Sequence, residues 1–156
     1  MKKEWERSTR ICDYSQLSAD LKNPIETKLE VMEEQIDPLF CIETISTQIK
    51  SGLFGSKKKV VRVASIVTPK WLIQSFDEEE GKSEIYARFL YLDKMEVSTI
   101  TVDLSRKIGL EDHGIDVLSL MQDGIERVNL FIGLEPGIAA NEFVSTLKDA
   151  IQKANK

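Results

Sequence analysis

The spacing of apolar residues changes period twice along this chain. Between residues 15 and 36 they recur at helical intervals, from 39 to about 133 they alternate, and the last twenty return to helical spacing. The clearest stretch is VVRVASIVTPKWLIQSF, residues 60–76. Val61, Val63, Ser65 and Val67 alternate with Val60, Arg62, Ala64 and Ile66, giving a strand with two usable faces. Pro69 presets the backbone for a turn and cannot sit inside a central strand, so Pro69-Lys70 predicts a hairpin turn. This hairpin is expected to seed an antiparallel sheet.

Upstream, residues 1–12 carry mixed charge and no period, which predicts a loosely held lead-in. Asp13 or Ser15 predicts the cap of a short helix over 15–22, with Leu17 and Leu21 on one face. Asn23-Pro24 predicts the start of a second helix, in which Ile25, Leu29, Met32 and Ile36 form a packing stripe ending before Asp37-Pro38. Strands are expected at 39–49, 84–92, 95–103, 114–121 and 127–133, with loops at 50–59 and 104–114 and an acidic turn at 77–83. After Pro136-Gly137, the residues Ala140, Phe143, Val144, Leu147 and Ile151 predict a helix over about 138–154 that closes the open end of the sheet. The fold class expected is α+β, mainly β: a bent antiparallel sheet of seven strands, mostly paired with sequence neighbours. Residues 1–38 would form a helical extension packed on a domain spanning 39–156.

Composition narrows the function. A chain of 156 residues, 42% hydrophobic and 30% charged, has the make-up of one globular domain. A net charge of −5 argues against nucleic acid as a partner, because phosphate contacts show as a basic excess. No apolar run approaches the ~20 residues needed to span a bilayer, and the first fifteen residues lack the apolar stretch of a signal peptide. A cytoplasmic location is therefore expected. The two cysteines, Cys12 and Cys41, match no metal-ligand or redox spacing and are expected as reduced thiols.

Seven strands and a closing C-terminal helix resemble the pleckstrin-homology superfold. The string ASIVTPKWLIQS is similar to the second and third strands of bacterial pleckstrin-homology-like and GRAM-type domains, and FLYLDKMEV looks like the strand and turn that follow. The resemblance covers residues 39–154 and implies a partly open barrel plugged by the last helix. It also implies two kinds of partner: phosphoinositide headgroups held by basic residues of the first inter-strand loop, or peptides added to a sheet edge beside the closing helix.

Catalytic patterns are absent from the sequence. A single histidine, His113, rules out a multi-histidine metal site within one chain, and its placement by the pattern in a polar loop, as a solvated residue, argues against a histidine-based triad. GLFGSKKK lacks the spacing of a phosphate loop, and Glu78-Glu79-Glu80 lacks the alternation of a calcium loop. No enzyme activity, cofactor or metal is expected. One interval stands out. No acidic residue lies between Glu43 and Asp77, while Lys50, Lys57, Lys58, Lys59, Arg62 and Lys70 do. Leu53 and Phe54 form an apolar tip between Gly52 and Gly55 within it. Lys50, Leu53, Phe54, Lys57, Lys58, Lys59 and Arg62 are therefore the candidate ligand-binding residues. The function expected is a non-catalytic binding module serving protein interaction or scaffolding, with an unknown protein partner; the alternative is peripheral binding to an anionic membrane surface through the basic loop.

Overall fold

The alternation around Val60–Phe76 builds the centre of the molecule. Trp71 N–H donates to Thr68 Oγ1 at 2.8 Å and Thr68 N–H to the Trp71 carbonyl at 2.9 Å, closing the turn that Pro69 presets. The structure is a computed structural model that describes residues 2–3, 5–52, 55–78, 86–101, 110–111 and 113–156. In chain order its elements are β1 (Lys2–Lys3), β2 (Trp5–Ile11), α1 (Ala19–Met32), β3 (Phe40–Gly52), β4 (Gly55–Val67) and β5 (Trp71–Glu78). They continue with β6 (Tyr86–Tyr91), β7 (Glu96–Thr101), β8 (Leu110–Glu111), β9 (His113–Leu120), β10 (Arg127–Gly133) and α2 (Ile138–Ala154).

The strands form two antiparallel sheets: five strands in the order β2-β3-β4-β5-β6, and three in the order β10-β9-β7. β1 and β8 add a two-residue parallel pair. The five-stranded sheet is covered on both faces. Ala64, Ile66, Ile73, Ala87 and Phe89 pack against Leu21, Ile25 and Leu29 of α1. On the other face Ile42, Val67, Leu72 and Leu90 meet Ile115, Val117 and Ile132 of the second sheet and Phe143 and Leu147 of α2. Strand alternation thus supplies two cores from one sheet. α1 is also held by a buried hydrogen bond, Ser75 Oγ–H to the Leu21 carbonyl at 2.7 Å. At the N-terminal edge, Glu135 N–H donates to Thr9 Oγ1 at 2.9 Å and Thr9 N–H to Glu135 Oε1 at 3.4 Å, tying β2 to the segment that enters α2.

The expected seven-stranded barrel is corrected to these two sheets. Among the described residues they do not close: β6 meets the end of β9 only through the Leu90–Met121 bridge. Residues 5–11 form a strand paired with β3 over Trp5–Gln48 to Ile11–Ile42 rather than a loose lead-in. Its period was hidden because β2 is an edge strand, and of its residues only Thr9 is buried. The two expected N-terminal helices are one. Pro24 lies inside α1, at the cost of one backbone hydrogen bond, and the stripe Leu21–Ile25–Leu29 runs across it because all three side chains are buried. α1 stops at Met32, short of Ile36. Glu33 takes a left-handed conformation (φ 57°), and Glu34 N–H reaches back to the Leu29 carbonyl at 2.9 Å in a Schellman cap. His113 opens strand β9 and is half-buried, where a polar loop was expected. The expected acidic turn at 77–83 falls largely outside the described residues, as does most of the expected loop at 104–114. No helix among the described residues is long and apolar enough to cross a membrane.

Two stability outcomes follow. Phe143 is fully buried between the sheets, so Phe143→Ala should cost roughly 3–5 kcal/mol in urea unfolding. A change under about 0.5 kcal/mol would show that α2 does not carry that core. Glu33→Gly should stabilise by roughly 0.5–1 kcal/mol in the same measurement, because glycine adopts the left-handed cap without the side-chain penalty; a loss of stability would refute the cap's geometry.

Candidate binding site

The basic residues singled out in the sequence lie on a hairpin, not in a loop. β2 begins its pairing at Trp5–Gln48 and β5 ends its pairing at Val61–Glu78, but the β3–β4 register runs on from Gln48–Lys59 to Gly52–Gly55. Among the described residues, 49–52 and 55–58 are thus a two-stranded ribbon beyond the pairing of β2 and β5, about 13 Å long at ~3.3 Å per residue. The β-branched runs on either side set a register that carries the lysines into the ladder, whose last described pair is Gly52–Gly55. The register places Lys50 opposite Lys57, Lys58 opposite Ile49 and Lys59 opposite Gln48. Leu53 and Phe54 lie outside the described residues, as do the side chains of Lys50, Lys57 and Lys58. Arg62 does not join Lys59. Three positions along β4 puts it on the opposite, α1-facing side, where it is ion-paired with Asp77 and lies 4.0 Å from Asp20.

Lys59 instead lines a cleft of about 260 Å³ between the two sheets, at the end away from α2. Strand faces that are apolar near α2 turn polar here: Thr44, Ser46, Ser65 and Gln74 are all buried. Arg7 spans the mouth, its Nε–H donating to Ser46 Oγ at 3.1 Å and its guanidinium lying between the rings of Trp5 and Phe131. Gly133 makes room for it, since a Cβ there would collide with the Arg7 guanidinium. Gln74 Nε2–H donates to Ser65 Oγ at 3.3 Å, while Gln74 Oε1 has no hydrogen-bond partner among the described residues.

A larger groove, about 680 Å³, lies outside the sheet between α1, the β6 edge and the β9–β10 turn. Its floor includes Pro24, Ala87, Met121 and Val128, and its polar groups are Asp20, Asn23, Thr27, Lys28, Tyr86, Arg88 and Glu126. β6 is the last strand of its sheet, so its outer backbone edge faces this groove. The Arg88 guanidinium sits 4.6 Å from the Phe76 ring centroid and 5.7 Å from that of Tyr86, and Nη2–H donates to Tyr86 Oη at 3.3 Å. The two rings are themselves stacked at 4.7 Å, so the guanidinium rests on a rigid platform. With its amide nitrogen donating to the Phe89 carbonyl at 3.3 Å, Gln122 accepts from Lys28 Nζ at 3.1 Å. Partial burial, and then the nearby Arg88 charge, lower the Lys28 pKa below the ordinary lysine value. Neither cation has a carboxylate partner among the described residues. Asp20 lies instead beside Arg62.

Lys28 and Arg88 were missed in the sequence because they are sixty residues apart and neither belongs to a charge run. Phe143, on the closing helix beside which the resemblance implies a peptide-binding edge, is fully buried. No protein-family model, no characterised protein and no solved structure matches the chain.

The Lys28 environment has a signature in stability. Its depressed pKa means that the unfolded chain binds more protons than the folded one just below the ordinary lysine value, so this group's contribution to stability rises with pH in that alkaline window. Lys28→Met should therefore unfold at higher urea than the parent at pH 7, and the gap should narrow toward pH 10.5. A variant less stable than the parent at pH 7 would refute the account.

Proposed function

We propose that this chain is a non-catalytic binding module of pleckstrin-homology-like architecture, and that it takes an extended acidic segment of a partner protein along the edge of β6. The observation that carries this reading is the placement of Lys28 and Arg88 in one groove, neither of them ion-paired among the described residues although Asp20 and Glu126 also line it. A strand added beside β6 gains main-chain hydrogen bonds from the part of its edge that precedes the Leu90–Met121 bridge and has no partner strand among the described residues. Its consecutive side chains point to opposite faces, so adjacent acids reach toward α1 and Lys28 on one side and toward Arg88 on the other. One of these acids supplies the countercharge that Lys28 lacks, and the other forms charge-assisted hydrogen bonds with the ring-mounted guanidinium. Stability forgone at Lys28 in the free protein fits a residue kept for binding.

A second reading, peripheral binding to anionic lipid through the β3–β4 ribbon, is favoured by its register. Lys50 and Lys57 are directly opposite, and like charges so placed destabilise a ladder unless an anionic surface offsets them. Each basic side chain near such a surface contributes on the order of 1 kcal/mol.

Fluorescence anisotropy with a labelled extended peptide carrying an Asp-Glu pair, against its Asn-Gln counterpart, tests the first reading. Binding should favour the acidic peptide, fall with salt, and weaken roughly tenfold, about 1.4 kcal/mol, in Lys28→Met or Arg88→Met. Replacing Lys57, Lys58 and Lys59 with Gln should leave it unchanged. Equal binding of both peptides would sink the groove reading. Co-sedimentation with phosphatidylserine vesicles, lost in the triple Gln variant alone, would establish the ribbon reading in its place.

A further inference from the structure

The two cysteines share no sequence motif, yet the fold sets them side by side. Cys12 follows the last residue of β2, and Cys41 is the second residue of β3. The β2–β3 register ends at Ile11–Ile42, and the next step brings Cys12 N–H to the Cys41 carbonyl at 3.1 Å. Their sulfurs are 3.6 Å apart, and both residues are buried, at 7% and 4% exposure. A disulfide needs about 2.05 Å, so closure asks for a movement of about 1.5 Å in all. The surroundings permit it. Cys12 precedes the 3-10 turn at Tyr14–Gln16, and Cys41 follows the irregular segment between α1 and β3, so both lie at strand ends rather than mid-ladder. A cavity of about 440 Å³ opens beside the pair, lined by both cysteines with Tyr14, Ile36, Pro38 and Phe40. That volume admits the sulfur and flanking atoms of a small disulfide reagent.

We propose that Cys12 and Cys41 are a modification site: a dithiol that converts reversibly to an intramolecular disulfide by exchange with a low-molecular-weight disulfide such as glutathione disulfide. The Cys12 thiol loses its proton to solvent, and its thiolate attacks one sulfur of the reagent. One S–S bond breaks, a Cys12–glutathione bond forms, and the first glutathione leaves as thiolate. Cys41 then loses its proton and attacks the Cys12 sulfur, expelling the second glutathione. Two protein thiols are oxidised and one disulfide is reduced to two thiols. Burial raises the pKa of both cysteines, which keeps the pair reduced until a reagent enters the cavity. Cys12 is the first to attack, because it lies one residue past the end of β2 and is freer to move, whereas Cys41 is held in the β3–β4 ladder opposite Ile66. Once formed, the bond closes a loop that contains the whole of α1, and it clamps that helix layer to the sheet.

The test uses the full reduced chain under native conditions with glutathione disulfide. Intact mass should fall by about 2 Da, the two hydrogens lost, and peptide mapping should link Cys12 to Cys41. The thermal midpoint should rise and amide exchange in α1 should slow, both reversed by dithiothreitol. Cys41→Ser should stop at the Cys12 glutathione adduct with no rise in midpoint; Cys41→Ala serves if the serine variant does not fold. A native chain that stays unreacted while the urea-unfolded chain reacts would overturn the proposal, leaving two inert core thiols. Disulfides formed only between molecules would overturn it as well.

Discussion

The structure depends on one constraint: the pairing register of β4 with its two neighbours. Adjacent residues of β4 serve different cores, Ile66 under α1 and Val67 under the second sheet and α2. The same division recurs in β5 with Ile73 and Leu72, and in β6 with Phe89 and Leu90. A slip of one residue in any of these strands would exchange the two sets and present each layer with the other's shapes. A sheet buried on one side tolerates polar residues in the alternate positions. This one is covered on both, so under the layers a polar residue is kept where it has a hydrogen bond, as Ser75 has to α1, while the row through Val67, Leu72 and Leu90 is wholly apolar.

What could be read from the sequence was whatever is local and strongly periodic. The β4–β5 turn at Thr68–Trp71 was legible because Pro69 fixes it through its own ring, and α2 because Phe143 and Leu147 repeat at helical spacing with their partners. β2 was illegible because an edge strand has too few buried positions to alternate. Pro24 misled because a proline is a local signal and the burial of Ile25 and Leu29 is a tertiary one. The charge run marked 50–59 as a loop, since lysines argue against a strand until the β-branched segments on both sides impose a ladder. Lys28 and Arg88 carry no local signal at all: what sets them apart is the groove they share, and only the packing of α1 beside β6 makes it.

The inner face of the central sheet also records a division of labour. Moving along β3 from the α2 end, Ile42 gives way to Thr44 and Ser46; along β4, Val67 gives way to Ser65; along β5, Leu72 gives way to Gln74. The helix seals one end with hydrocarbon, and the far end is left with hydroxyls, an amide and the Arg7 guanidinium. Buried polar groups of this kind are satisfied mostly by one another, as in the Thr9–Thr44 pair at 3.0 Å, so the far end contributes shape and polarity where the near end contributes stability.

The tie between Thr9 and Glu135 bears on how the chain assembles. These residues are 126 positions apart and hold each other through two hydrogen bonds. β2 leaves the ribosome before any other part of the five-stranded sheet, and it can pair with β3 as soon as that strand emerges. Its second anchor does not exist until the segment after β10 has been made. Until then an edge strand is held on one side only, open to pairing with a neighbouring copy. The step that secures the N-terminus is therefore the arrival of the C-terminal segment, and synthesis cut short before residue 135 would leave the first strand of the sheet unlatched.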